Sequence, residues 1–180
     1  MVFYGLFIAA LMFIIFLFSS PKLSPIPYFP SNKKDMGLII KSFGLANRQT
    51  IIDLGAGDGI VVFDAAYDAH KRGLDTNFVA VEINPVLIAV LQLRRLVHPN
   101  RRRIKIVMGD IFKMDFGGLA DDRNSKIFYL YISPWHMEKT LDNIKRQFGR
   151  FSVVSYMYPV KSMAKERETR GVHPVFVYNR

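Results

Sequence analysis

Residues 50–71, TIIDLGAGDGIVVFDAAYDAHK, decide the fold. A strand-length apolar run, Thr50–Leu54, carries Asp53 near its end and passes directly into Gly55-Ala56-Gly57-Asp58-Gly59. The following stretch, Ile60–Lys71, sets Val61, Ala65 and Ala69 on one helical face, so the segment predicts strand, tight turn and helix. Glycines in such a turn let a ligand approach the backbone, and the helix N-terminus offers unpaired N–H groups to a negative group. The unit reads as a nucleotide-type ligand site. Its spacing is Gly-x-Gly-x-Gly, and Ile60 stands where a dinucleotide fingerprint needs its last glycine, which counts against a nicotinamide cofactor.

Outward from this unit the pattern repeats. Leu38–Phe43 predicts part of a helix before it, and Phe78–Glu82 a second strand after it. Pro85 is placed as the first residue of a helix reaching Val97. Strands are then expected at Ile104–Met108, Lys126–Ile132 and Phe151–Met157, with a helix at Glu138–Phe148. The remaining tail is too short for two more such units, but Pro174–Tyr178 fits a last edge strand. Alternating strands and helices imply right-handed βαβ units, hence an α/β, Rossmann-like, doubly wound and mostly parallel sheet.

Two acids close the next strands. Glu82 ends strand two in Val-Ala-Val-Glu-Ile-Asn-Pro, where a carboxylate can accept both hydroxyls of a ribose. Asp110 ends strand three in Met-Gly-Asp-Ile-Phe, where it can accept an adenine amino hydrogen while Ile111 and Phe112 flank the ring. Parallel topology brings all three strand ends to one rim. Any one acid alone is as readily a turn or cap residue.

At these residues the chain resembles the class I, seven-β-strand S-adenosylmethionine-dependent methyltransferases. The resemblance assigns cofactor contacts to Asp53, Gly55, Ala56, Gly57, Asp58 and Gly59, to Glu82, Ile83 and Asn84, and to Asp110, Ile111 and Phe112. More narrowly it is similar to the small protein-lysine methyltransferases, a group with an archaeal lysine methyltransferase and membrane-anchored mitochondrial enzymes acting on ATP synthase and the adenine nucleotide translocase. That narrower likeness rests on Pro27-Tyr28-Phe29-Pro30-Ser31, Glu82-Ile83-Asn84-Pro85 and Gly109-Asp110-Ile111-Phe112-Lys113-Met114-Asp115, and on a fourth strand without Asn-Pro-Pro-Tyr. It adds Tyr28 to the cofactor set and implies S-adenosyl-L-methionine as methyl donor, with no metal. The chain departs from these relatives in carrying Ile60 where they usually have Arg, and in a short tail after strand five.

Methyl transfer from a sulfonium is an in-line displacement, so alignment and the removal of water carry most of the catalysis. A lysine acceptor must be neutral to attack, and a desolvating aromatic rim lowers its pKa. Tyr129-Leu130-Tyr131-Ile132-Ser133-Pro134-Trp135-His136 supplies such a rim, which makes Tyr131, Ser133 and Trp135 the candidates for the acceptor channel. The competing structural roles are core for Tyr129 or Tyr131 and a helix-start staple for Trp135. His136 at a helix start reads as a surface or capping residue before it reads as a base, and His70, His98 and His173 lack metal-ligand spacing.

The 180 residues carry 25 Lys and Arg against 15 Asp and Glu, a formal charge of +10, with no cysteine. That excludes disulfides, thiolate metal sites and a cysteine nucleophile. Met1–Pro21 has no charged side chain, and its run Met1–Phe18, as a helix about 27 Å long, matches a bilayer's hydrocarbon thickness. A signal peptide would want positive charge ahead of the apolar run, whereas the first basic residues are Lys22, Lys33 and Lys34. Residues 1–20 are therefore expected to be a single-pass anchor, 21–31 a proline-rich linker, and 32–180 a catalytic domain on the cytoplasmic side. Arg94, Arg95, Arg101, Arg102, Arg103 and Lys105 form a basic cluster suited to phosphates, either of nucleic acid or of anionic lipid. Protein-lysine methylation leads. Behind it stand a nucleic-acid base methyltransferase, weakened by Ser133 where Asn would accept the amino hydrogens, and a membrane-tethered module that binds the cofactor without turnover.

Overall fold

The computed structural model describes residues 28–121 and 123–180, and the backbone of Val2–Ser19 with the side chains of residues 3–13, 15 and 16. Its strands are β1 Gln49–Leu54, β2 Asn77–Glu82, β3 Ile104–Met108, β4 Ser125–Leu130, β5 Ser152–Tyr156, β6 Lys165–Arg170 and β7 Pro174–Asn179. They form one sheet in the order β3-β2-β1-β4-β5-β7-β6. Pairing is parallel from β3 to β5, and β7 is antiparallel to both its neighbours. The helices are α1 Val2–Ser19, α2 Met36–Phe43, α3 Ile60–Lys71, α4 Pro85–Val97 and α5 Pro134–Gln147.

The strand period of two divides the core between the two faces of the sheet. Ile51 of β1 packs with Ile39, Phe43, Val62, Ala66 and Leu91 of α2, α3 and α4. Ile52 and Leu54 face the other way, toward Met137, Leu141 and Ile144 of α5 and the loop residues Ile111, Phe116 and Val160. Full burial of each such Leu or Ile contributes about 1.5–3 kcal/mol. Local signals agree with these elements. Asn84 caps α4 by accepting Val86 N–H at 2.9 Å, with Pro85 as first helical residue.

The mostly parallel α/β sheet, and the bounds of α3, α4 and β3, match the sequence expectation. Three segments differ. α5 starts at Pro134 rather than Glu138, which puts Trp135 and His136 in its first turn. β4 ends at Leu130, so Ile132 lies beyond the strand. Pro174–Asn179 is an interior strand, because Lys165–Arg170 pairs outside it as the edge. Lys-Glu-Arg-Glu-Thr-Arg has no apolar alternation to announce a strand. It is half-exposed and charged, as an edge strand that avoids pairing with other chains should be.

The described side chains of α1 are exposed, from 47% at Leu11 to 87% at Phe3. Among the fully described residues no helix is long and apolar enough to cross a membrane. Most of the expected linker at 21–31 lies outside the described residues. Its last residues belong to the domain: Tyr28 sits against the glycine loop, and Ser31 is buried and shares a 2.9 Å hydrogen bond with the Tyr129 hydroxyl.

Candidate active site

The rim is built on backbone. Gly55 and Ala56 N–H both donate to Val81 O at 2.9 Å, which laces the loop after β1 to the end of β2. Gly57 has φ +59°, and a Cβ there would lie 2.6 Å from the Tyr28 ring. Gly59 has φ +78°, and a Cβ there would lie 2.4 Å from Leu91 and 2.7 Å from Phe63. Neither position has room for a side chain, so the loop presents bare backbone. α3 begins at Ile60, whose N–H donates to Asp58 Oδ1 at 3.2 Å, and the next first-turn N–H groups have no intrahelical acceptor.

Glu82 locks this arrangement. Its Oε2 accepts Gly57 N–H at 2.8 Å, and its Oε1 accepts Ile83 and Asn84 N–H at 2.8 and 3.0 Å. A carboxylate has about four lone-pair sites, so three backbone bonds leave acceptor capacity for one ligand hydroxyl. The expectation that Glu82 takes both ribose hydroxyls is thus sharpened: most of its capacity is spent on the rim itself. One strand over, Asp110 Oδ1 accepts Phe112 N–H at 2.9 Å and Asp110 O accepts from Lys113 and Met114. Ile111 is buried, whereas the half-buried Phe112 ring meets His136 at a tilt, 5.1 Å between centroids, with Lys139 above its ring.

Asp53 is buried at 3% exposure, level with Tyr129 of β4, and burial followed by the Glu82 and Asp58 charges pushes its carboxyl up. Asp58 is half-buried and pairs with Arg94 at 2.9 Å, while the same guanidinium donates to Asp58 O at 2.6 Å and lies over Phe63. Arg94 therefore leaves the basic cluster expected from sequence and serves as a strut for the glycine loop. Tyr28 closes the loop from above, its hydroxyl pushed up by burial and by Asp58.

Beyond the loop a cleft of about 520 Å³ continues toward the end of β5. Tyr28, Asp58 and Ile60 form its inner wall, Tyr131, Tyr156 and His173 its outer wall, and Lys33 stands at its mouth. The outer wall is an aromatic ladder. Tyr131 meets Tyr156 edge-on at 4.9 Å, and Tyr156 meets His173 at 5.6 Å. Asp35 fixes it, accepting the Tyr156 hydroxyl at 2.7 Å and the Val172 and His173 N–H groups at 2.7 and 2.9 Å.

Of the three acceptor candidates, the structure brings only Tyr131 to this cleft. Ser133 occupies the N-cap position of α5, and Trp135 projects from its first turn at 82% exposure. Neither lines the cleft. His136 lies against Phe112 instead. Sequence reasoning misses Tyr156 and His173, because they reach the cleft from β5 and the β6–β7 hairpin. The position of Tyr156 at the end of an apolar strand is the one signal that marks either of them.

The strand order, the single antiparallel strand and the glycine loop with its two acidic strand ends define the class I S-adenosylmethionine-dependent methyltransferase fold. Solved structures share it. An RNA methyltransferase from Salinibacter ruber in complex with S-adenosyl-L-homocysteine superposes with a TM-score of 0.69 at 20% identity, covering 84% of this chain and 93% of that one. A SAM-dependent methyltransferase from Geobacter sulfurreducens in complex with the same compound gives 0.53 at 13% identity, with 88% and 58% covered. In sequence the chain is similar to the ATP synthase C-subunit lysine N-methyltransferases. It is 29% identical over 96 residues to that of Caenorhabditis elegans, which is 50% of this chain and 47% of that protein. It is 24% identical over 155 residues to that of Homo sapiens, which is 86% of this chain and 61% of that protein. The chain thus spans about half to three-fifths of these relatives' length. No family model matches it.

Proposed function

We propose that the chain is a membrane-anchored S-adenosylmethionine-dependent methyltransferase that methylates a lysine amine of a protein. The observation that carries this reading is the aromatic cleft that opens beside the glycine loop, sharing Tyr28, Asp58 and Ile60 with it. The residues present fit the cofactor: bare backbone at Gly57 and Gly59, spare acceptor capacity on Glu82, and Asp110 with the Phe112 ring beside it. When bound, S-adenosylmethionine supplies an electrophilic methyl group.

The chain's own residues prepare the acceptor. Tyr131, Tyr156 and His173 strip water from an entering amine, which favours its neutral form. Lys33 at the mouth opposes a second ammonium, and the Asp58 charge is already met by Arg94. Burial pushes the Tyr131 hydroxyl up. Burial and donation to Asp35 push that of Tyr156 far up. Both phenols stay protonated and shape the channel without serving as bases.

The anchor part is supported by the 18-residue, charge-free helix α1 and its exposed Phe, Leu, Ile and Met side chains. Methylation of a nucleic-acid base is the second reading, supported by the exposed Arg101, Arg102 and Arg103 and weakened by Ser133 in place of Asn. Incubation of the full chain in detergent with methyl-labelled cofactor, membrane protein and RNA tests all three readings. Label in lysine is expected. Label confined to RNA overturns the assignment, and cofactor binding without any transfer supports the tethered module.

A further inference from the structure

The outer face of α4 is the wrong composition for a surface helix. Its inner side buries Leu87 and Leu91, yet Leu93, Leu96 and Val97 stand 66%, 64% and 86% exposed at i, i+3 and i+4 spacing. A helix apolar on both sides needs a second apolar environment. Next to it Arg101, Arg102 and Arg103 form an exposed turn leading into β3, where Lys105 is also exposed. Among the described residues no salt bridge engages Arg95, Arg101, Arg102, Arg103 or Lys105. Arg95, Arg102, Arg103 and Lys105 line a cavity of about 330 Å³ at the starting ends of β1, β2 and β3, together with Asp121 and with Asn77, whose Oδ1 accepts from Arg103 at 3.4 Å. Asp121 is itself paired with Arg123.

Apolar side chains flanked by uncompensated arginines are what an anionic bilayer surface receives: the aliphatic groups enter the acyl boundary and the guanidiniums hold lipid phosphates. The position is right as well, since α1 touches α4. We infer that α4 and the Arg101–Arg103 turn form a membrane-docking face, with Leu93, Leu96 and Val97 inserted and Arg95, Arg102, Arg103 and Lys105 binding the phosphates of anionic phospholipid. The domain would then lie with its β3 edge on the bilayer instead of swinging free on the anchor. This rests on the anchor part of the proposed function and is independent of methyl transfer.

The absence of cysteine makes the test direct. The full chain carrying Val97→Cys, labelled with an environment-sensitive dye, is placed in nanodiscs of phosphatidylcholine alone or enriched in phosphatidylglycerol. A blue shift with an emission rise of roughly twofold or more in the anionic discs is expected, as for a probe entering the acyl boundary. The same dye at Val172→Cys on the β6–β7 hairpin should not respond, and adding Arg102→Glu with Lys105→Glu should abolish the response at position 97. Inorganic phosphate in the phosphatidylcholine sample should change nothing. A probe unmoved by anionic lipid while the chain co-elutes with both disc types overturns the docking face alone. A chain that fails to co-elute with either disc overturns the anchor along with it. Shielding by a single-stranded RNA and not by lipid reassigns the face to nucleic acid and overturns the inference.

Discussion

Glu82 and Asp35 are both buried carboxylates that accept three hydrogen bonds, one bracing the glycine loop and the other the aromatic ladder. Glu82 gathers amides from its own strand end and from the neighbouring loop, with partners no more than 25 residues away. Asp35 gathers Tyr156, Val172 and His173, which lie 121 to 138 residues along the chain. The first keeps acceptor capacity for a ligand, whereas the second is enclosed and spends its bonds on scaffold. Similar chemistry therefore predicts different losses: binding at Glu82, stability at Asp35.

The largest effect is expected at Asp35. Asp35→Ala strands a buried hydroxyl and two N–H groups and should cost about 4 kcal/mol of stability in chemical denaturation, with cofactor affinity changed less than about threefold once folded. Burial pushes this carboxyl up, but the Tyr156 hydroxyl and the His173 and Val172 amides outweigh it, so the folded value sits below the ordinary one. The contribution is thus complete above the unfolded carboxylate range and is lost as pH falls through the lower folded value. Acid titration of the wild type should show that loss, and Asp35→Ala should not.

Glu82→Ala is expected next, weakening cofactor binding by about 100-fold, or ~2.7 kcal/mol, in calorimetry. Unchanged binding would erase the functional half of the contrast. Gly57→Ala introduces a strained φ and a Cβ against Tyr28. It should cost about tenfold in affinity, and Tyr28→Ala in the same chain should recover part of that if the clash is the cause. Arg94→Ala removes a pair that is 36% and 32% exposed, and should cost only about 0.5–1 kcal/mol, read as a small drop in thermal midpoint.

The same contrast explains what is legible in the sequence. The Glu82 side is local: strand, glycine turn, helix and acid follow one another, and residues 49–108 fold where their pattern places them. The Asp35 side is assembled from distance. Nothing near Asp35 distinguishes it from a helix-start acid, and no periodicity joins it to a hairpin whose outer strand is Lys-Glu-Arg-Glu-Thr-Arg. α5 carries the Pro-at-N1 signal at Pro134 just as α4 does at Pro85. Yet the aromatic residues after it suggest a channel, and helix geometry turns Trp135 to solvent. Tyr131 is legible because it follows a buried strand on the ligand rim, while Tyr156 and His173 depend on the antiparallel return of β7.

Tyr28 has a consequence for reach. It rests on the glycine loop and follows the last residue of α1, Ser19, by nine positions. Nine residues extend no further than about 30 Å. If α1 sits in a bilayer as proposed, this stretch is a short leash with one end in lipid and the other pressed on the cofactor loop. Lysines within a few nanometres of the membrane come within range, and those on the outer parts of large assemblies stay beyond it whatever their sequence.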